Sequence, residues 1–187
     1  MAVLNKSLRP LLCGALGLMV FLRGACGAEA PTEYQVKAVF VYNFSHFVEW
    51  PPQAFASANA PFVIGVLGGD PFGAHLDEAV QGERIGQHPL VVRRFHSISE
   101  IGDCQILYID RAASAELPQI LAALDHHGTL TVSDVDGAAE HGVMIQFATE
   151  NNRIRLRINV ESARAAGLTI SSKLLRPAEI VGTRTKD

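Results

Sequence analysis

From Tyr34 to Trp50 the polar positions Gln35, Tyr42, His46 and Glu49 fall on one stripe of a 3.6-residue repeat. Val36, Val39, Phe40, Val41, Phe44, Phe47 and Val48 occupy the remaining girth. This periodicity predicts a helix packed on most of its sides. Thr32 with Gln35 three residues later forms a capping box at its start. Trp50-Pro51-Pro52 stops it after about Glu49, because a proline lacks the N–H and disfavours helical backbone before it. Pro51–Pro61, rich in Pro, Ala and Ser, then reads as a soft joint.

Beyond the joint the pattern alternates between short apolar runs and helical spacing. Phe62–Leu67 is apolar throughout, as a strand buried on both faces must be. Asp70 and Pro71 predict a helix start, with Phe72, Leu76 and Val80 on its inner side. Pro89–Phe95 reads as a strand, Ser97 with Glu100 as a capping box opening a short helix, and Gln105–Ile109 as a strand. Ser114–His126 reads as a helix closed by Gly128, and Leu130–Val132 as a further strand. Strands alternating with helices at this spacing predict a parallel sheet with right-handed crossovers.

The C-terminal part changes character. Val143–Thr149 and Ile154–Val160 flank Asn151-Asn152, a pair that tolerates positive φ and suits a hairpin turn. Counting outward pairs Thr149 with Ile154, Phe147 with Leu156 and Ile145 with Ile158 on one face. Arg153, Arg155 and Arg157 line the other. Asn159 can cap a short helix, Val160–Ala166, ended by Gly167, and Leu168–Val181 closes the chain. The expected fold class is therefore α/β: a mostly parallel sheet flanked by helices, with a C-terminal antiparallel β-hairpin.

The first 28 residues change the compartment. Lys6 and Arg9 precede an apolar run of 12 residues, Leu11–Leu22, and the small residues Gly24, Ala25, Gly27 and Ala28 follow. A basic start, a short apolar middle and a small-residue site is the layout of a cleaved secretory signal, and the run is too short to span a bilayer. The expected cut falls near Ala28, leaving residues 29–187 as a single exported α/β domain in the periplasm. ATP and NAD(P)H are scarce there, which disfavours kinases, ATPases and dehydrogenases. The 187-residue chain carries a formal net charge of −3. Without residues 1–28 it has 13 Lys and Arg against 19 Asp and Glu, or −6. An acidic domain of this kind is not built for nucleic acid. Cys104 then remains as the lone cysteine. Its place before Ile106-Leu107-Tyr108-Ile109 points to burial, against pairing between chains.

Several groups could carry chemistry. Gly68 and Gly69 form a glycine-rich strand-to-helix turn whose amides could hold an anion. The same residues also suit a plain tight turn capped by Asp70. Asp70, Asp110, Ser133 and Asp134 fall at carboxyl ends of expected strands, where open parallel sheets bind ligands. A phosphoacceptor would also need a lysine near the end of the next strand, and the chain reads Ile145-Gln146-Phe147 there. The seven histidines, His46, His75, His88, His96, His126, His127 and His141, form no metal-binding spacing. No Gly-x-Ser-x-Gly elbow and no HExxH occurs. The reading is of a non-enzymatic protein without cofactor or metal. The arginine stripe either meets an acidic partner or lipid, or guards an edge hairpin against aggregation.

Three stretches together resemble the YfiR-like family of periplasmic proteins. They are Tyr34–Pro51 (YQVKAVFVYNFSHFVEWP), Ile64–Gly73 (IGVLGGDPFG), and the tail from Met144-Ile145-Gln146-Phe147 through Arg155–Asn159 to Ala166–Leu175. The resemblance implies a regulator that binds the periplasmic part of an inner-membrane diguanylate cyclase and holds its cytoplasmic GGDEF domain off. Cyclic di-GMP output and biofilm formation would follow from its release. It also implies relatives that dimerise, so a homodimer stays open. Some relatives carry redox-responsive disulfides, which a lone Cys104 does not support within one chain. The expected partner-binding residues are Ile170, Lys173, Leu174, Leu175 and Arg176, with Arg153, Arg155 and Arg157. Truncating the apolar ones would instead unfold the protein if they are core. The alternative, a periplasmic small-ligand sensor, would use Gly68, Gly69, Asp70 and Ser133.

Overall fold

The computed structural model describes residues 31–124, 128–151 and 153–182. Residues 1–28, expected to form a cleaved signal, and His126 and His127 lie outside the described residues. The first element is helix α1, Glu33–Phe47. Thr32 accepts the N–H of Gln35, and the Gln35 side chain accepts the N–H of Thr32, so the capping box forms. The helix ends two residues before Glu49. Val48–Glu49 is instead strand β1, paired antiparallel with Ile170 and Thr169. The buried face also differs from the expected one. It carries Lys37 and Ser45 beside Ala38, Val41 and Phe44, whereas Val39 is 51% exposed.

Strand β2 is Phe62–Leu67, buried at every position. The following helix α2, Ala74–Val80, starts later than Asp70 and Pro71 suggest. Asp70 Oδ1 accepts the N–H groups of Phe72 and Gly73 and closes a turn, and Gly73 at φ +54 begins the helix. Strand β3 is Arg84–Ile85 and strand β4 is His88–Phe95. Ser97 and Glu100 bound only one 3₁₀ turn, Ile98–Glu100, because the Ser97 hydroxyl takes no backbone N–H. The Glu100 carboxylate accepts the His96 N–H instead.

Strand β5, Ile106–Ile109, leads into a 3₁₀ stretch, Arg111–Glu116, and then helix α3, Leu117–Ala123. The single helix expected from Ser114 is thus divided. Pro118 in the first turn of α3 has no N–H to continue a ladder from upstream. Strands β6, Leu130–Ser133, β7, Ile145–Glu150, and β8, Arg153–Ile158, follow. Helix α4, Val160–Ala165, is capped by Asn159, whose Oδ1 accepts the Ser162 N–H. Strand β9, Thr169–Ile170, helix α5, Ser172–Leu175, and strand β10, Glu179–Ile180, are the last elements among the described residues.

Eight strands form one sheet in the order β10-β8-β7-β6-β5-β2-β4-β3. The run from β4 through β7 is parallel, and so is β8 with β10. β7–β8 and β3–β4 are antiparallel. The hairpin register is as counted: Thr149 opposite Ile154, Phe147 opposite Leu156, Ile145 opposite Ile158. Asn151 sits at φ +50, as the turn requires. β10 covers the outer side of β8 at Arg157 and Ile158. Of the stripe, Arg157 lies where β10 covers that edge, and Arg153 and Arg155 lie before the covered part.

The two sheet faces carry separate apolar clusters. Phe44, Phe62, Phe72, Tyr108 and Phe147 anchor the face under α1 and α2. Leu67, Phe95, Leu107, Ile109 and Ile120 anchor the face under α3. Gly65 lets the second cluster close on the sheet: a Cβ there would stand 2.8 Å from the Phe95 ring and 2.9 Å from Leu107. A second small sheet clasps the chain end, with β1 antiparallel to β9 and the Ser171 N–H donating to Phe47 O at 2.8 Å.

Candidate functional site

The carboxyl ends of β2, β5 and β6 bring Asp70, Asp110, Ser133 and Asp134 to one edge of the sheet, as the sequence implies. What each group does there is local. Asp70 Oδ2 accepts Arg94 Nε at 2.7 Å, while its other oxygen closes the turn before α2. Asp110 Oδ2 accepts the Ala112 N–H at 2.9 Å. Ser133, fully buried, donates to Ile109 O at 2.8 Å and accepts the Val135 N–H at 3.2 Å. The Gly68 N–H is used on Phe95 O at 3.1 Å. Gly69 lies so close to Asp110 that a Cβ would meet its Oδ2 at 2.8 Å. The glycine turn and its neighbours are thus joined to one another.

Asp134 is the centre of this edge, and Lys37 is its main partner. Both are 1% exposed, and Lys37 Nζ donates to Asp134 Oδ2 at 2.8 Å. Tyr34 Oη donates to the same oxygen at 3.0 Å, and Arg111 Nε lies 3.3 Å from Oδ1. Lys37 also reaches Glu33 Oε1 at 2.7 Å and stands 4.6 Å from the Tyr34 ring centroid. Burial alone would raise the Asp134 carboxyl. The Lys37 ammonium, the Tyr34 hydroxyl and Arg111 overcome that and hold it below the usual carboxylate range. Burial, then the hydrogen bond to Asp134, pushes the Tyr34 phenol up to about 12. Tyr108 is also raised, by burial first and then by the charge of Asp134.

Such a carboxylate, ionised and saturated with donors, is poorly suited to act as a base. Its evident effect is to tie α1 to the end of β6. The sequence reading missed Lys37, although a lone lysine amid Val36, Ala38 and Val39 was the available signal. Cys104 is buried as expected, and burial pushes its thiol up to about 12. Among the described residues no group of three or more His, Cys, Asp or Glu could hold a metal ion. No described helix is long and apolar enough to cross a membrane.

The expected partner-binding residues divide into two sets. Ile170 and Leu174 are core, packed in the cluster under α1, and offer no surface. Leu175 is half-buried, and Lys173 and Arg176 are exposed. Arg157 is half-buried and bound to two carboxylates, Glu179 at 3.0 Å and Glu150 at 3.2 Å. Arg153 and Arg155 are exposed and carry no ion pair to a described residue. Arg155 and Arg176, far apart in sequence, line one groove of about 330 Å³ with Glu150, Leu156 and Glu179. A second cavity, about 320 Å³, lies near the start of β5 and β6, among Pro51, Ile98, Ile101, Leu124 and Thr129.

The fold resembles those of solved α/β structures. One is the ABC domain in complex with L-Trp from Streptococcus pneumonia, with TM-score 0.52 and 13% identity, covering 79% of this chain and 60% of that one. Another is a conserved domain protein from Vibrio cholerae O1 biovar El Tor, with TM-score 0.51 and 12% identity, covering 80% and 60%. The chain thus spans about 60% of the length of these two structures. At such identities the likeness concerns the fold alone. Among curated proteins no sequence matches. The sequence profile described as YfiR/HmsC-like matches residues 34–179.

Proposed function

Because the chain belongs to the YfiR/HmsC-like family, we propose that it is a periplasmic, non-enzymatic regulator of an inner-membrane diguanylate cyclase. Residues 1–28 act as a signal removed near Ala28, and residues 29–187 are the working domain. The domain binds one conformation of the periplasmic part of the cyclase. It thereby shifts the equilibrium toward the state in which the cytoplasmic GGDEF domain is inactive. Loss of binding raises cyclic di-GMP and favours biofilm formation.

The observation that carries this reading is the family match across residues 34–179. Two features of the molecule are consistent with it. The strand-end carboxylates are engaged in internal bonds, and the exposed arginines supply a surface for an acidic partner. The test is affinity capture with the exported domain as bait and solubilised inner membranes as prey. A membrane protein with a periplasmic segment and a GGDEF domain should elute. If the bait is folded by circular dichroism and no such protein is retained, the cyclase reading fails, and a small-ligand sensor takes its place.

A further inference from the structure

The basic residues of this acidic chain are not equivalent, and their difference points to a docking groove. Arg94 is neutralised by Asp70 and Asp77, Arg111 by Asp134, and Arg157 by Glu150 and Glu179. Arg153, Arg155 and Arg176 have no carboxylate partner among the described residues. Arg157 acts as a strut: it joins β8 to β10 and offsets one of the two charges carried by Glu150 and Glu179 on the groove wall. With Arg157 counted, three arginines stand against Glu150 and Glu179 around the groove of about 330 Å³, and Arg155 and Arg176 are the two without a carboxylate partner among the described residues.

Two further observations narrow the occupant. β10 is the last strand of the sheet, only two residues long, and its outer side is unpaired among the described residues. Ile180 on that strand is 54% exposed. An unpaired strand beside a groove suits an extended chain, which can add main-chain hydrogen bonds to the edge. A lipid surface fits less well. A layer of headgroups has no main-chain donors and acceptors to pair with the free side of β10.

We infer that this groove takes an extended acidic segment of a partner protein, with its carboxylates seated against Arg155 and Arg176. The inference rests on the regulator reading for the partner's identity, but the groove can be tested without it. The probe is a fluorescein-labelled peptide of eight alternating Glu and Val residues, titrated with the exported domain in an anisotropy assay. Binding should weaken as salt is raised, as ion pairs at a solvated groove must. The Arg155→Ala/Arg176→Ala variant should lose about tenfold or more in affinity. Arg164→Ala, an exposed arginine on α4, should bind as the parent does.

Both groove arginines are exposed, so the variants should keep the parent melting temperature. No salt-sensitive peptide binding, or equal binding by the double variant, overturns the inference. So does binding to phosphatidylglycerol vesicles in place of the peptide. The membrane capture separates the two readings. A cyclase retained equally by parent and double variant sinks the groove and spares the regulator. Peptide binding that depends on the two arginines, without a retained cyclase, supports the groove and sinks the cyclase partner.

Discussion

Lys37 shows how one residue can be misjudged from periodicity and then explained by chemistry. It sits on the buried face of α1, where an isolated ammonium would be intolerable. Asp134, Glu33 and the Tyr34 ring make the site tolerable by supplying opposite charge and a π-face. Removing one partner leaves the other buried and uncompensated, which typically costs about 3–5 kcal/mol. Lys37→Met is therefore expected to lower stability by about 3–5 kcal/mol in urea unfolding. Lys37→Met combined with Asp134→Leu should recover much of the loss, because an apolar pair needs no compensation. A double variant no more stable than Lys37→Met would show that the pair is not the source of the cost. Gly65 and Gly69 are residue-scale constraints of another kind, since each stands where a methyl group would collide with a neighbour.

At the scale of elements, local signals and distant partners divide the work. The start of α1 is written locally: Thr32 and Gln35 satisfy each other's N–H groups without help from the rest of the chain. Thr32→Ala should cost about 1 kcal/mol, read as a lowered urea midpoint with unchanged slope. The hairpin is equally local, and its register follows from the turn and the two-residue alternation. The end of α1 is not. Val48 and Glu49 have helix-compatible side chains, yet they pair with Ile170 and Thr169 from the far end of the chain. β3 and β10 are likewise two residues long and carry no legible pattern of their own. They are strands because a neighbour presents a free ladder.

For the whole molecule, the shifted groups set a window of pH stability. Asp134, Asp77 and Glu33 are held below their ordinary values of 3.8, 3.8 and 4.5. Burial opposes the shift at each, while Lys37 at Asp134 and Glu33, and Arg94 at Asp77, prevail. A depressed carboxyl binds its proton later in the folded state than in the unfolded chain. Its contribution is present above the unfolded value and is lost as pH falls through the folded one. Tyr34 and Cys104 are raised to about 12 from 10.0 and 9.0, so their contributions are lost as pH rises from 9–10 toward 12. The melting temperature should hold a plateau between about pH 5 and 9 and fall on both sides. Asp134→Asn should flatten the acid side. An acid limb as steep as the parent's would show that Asp134 is not its main contributor.

The sequence alone determined the parallel α/β core, the capping box, the hairpin register and the family, because each is carried by neighbours within a few residues or by an ordered set of motifs. It also placed Asp70, Asp110, Ser133 and Asp134 at one edge, since strand ends of a parallel sheet share an edge by construction. Tertiary structure decided what those groups do. Only packing put the Lys37 ammonium on Asp134, sank Ile170 and Leu174 into the core, and laid β10 beside β8. It also separated the three arginines of one stripe into a strut, Arg157, and two, Arg153 and Arg155, that carry no ion pair to a described residue. The physical reason is the same throughout. Charge pairing and edge pairing depend on distance in space, and residues 37 and 134, or 155 and 176, become neighbours only once the chain has folded.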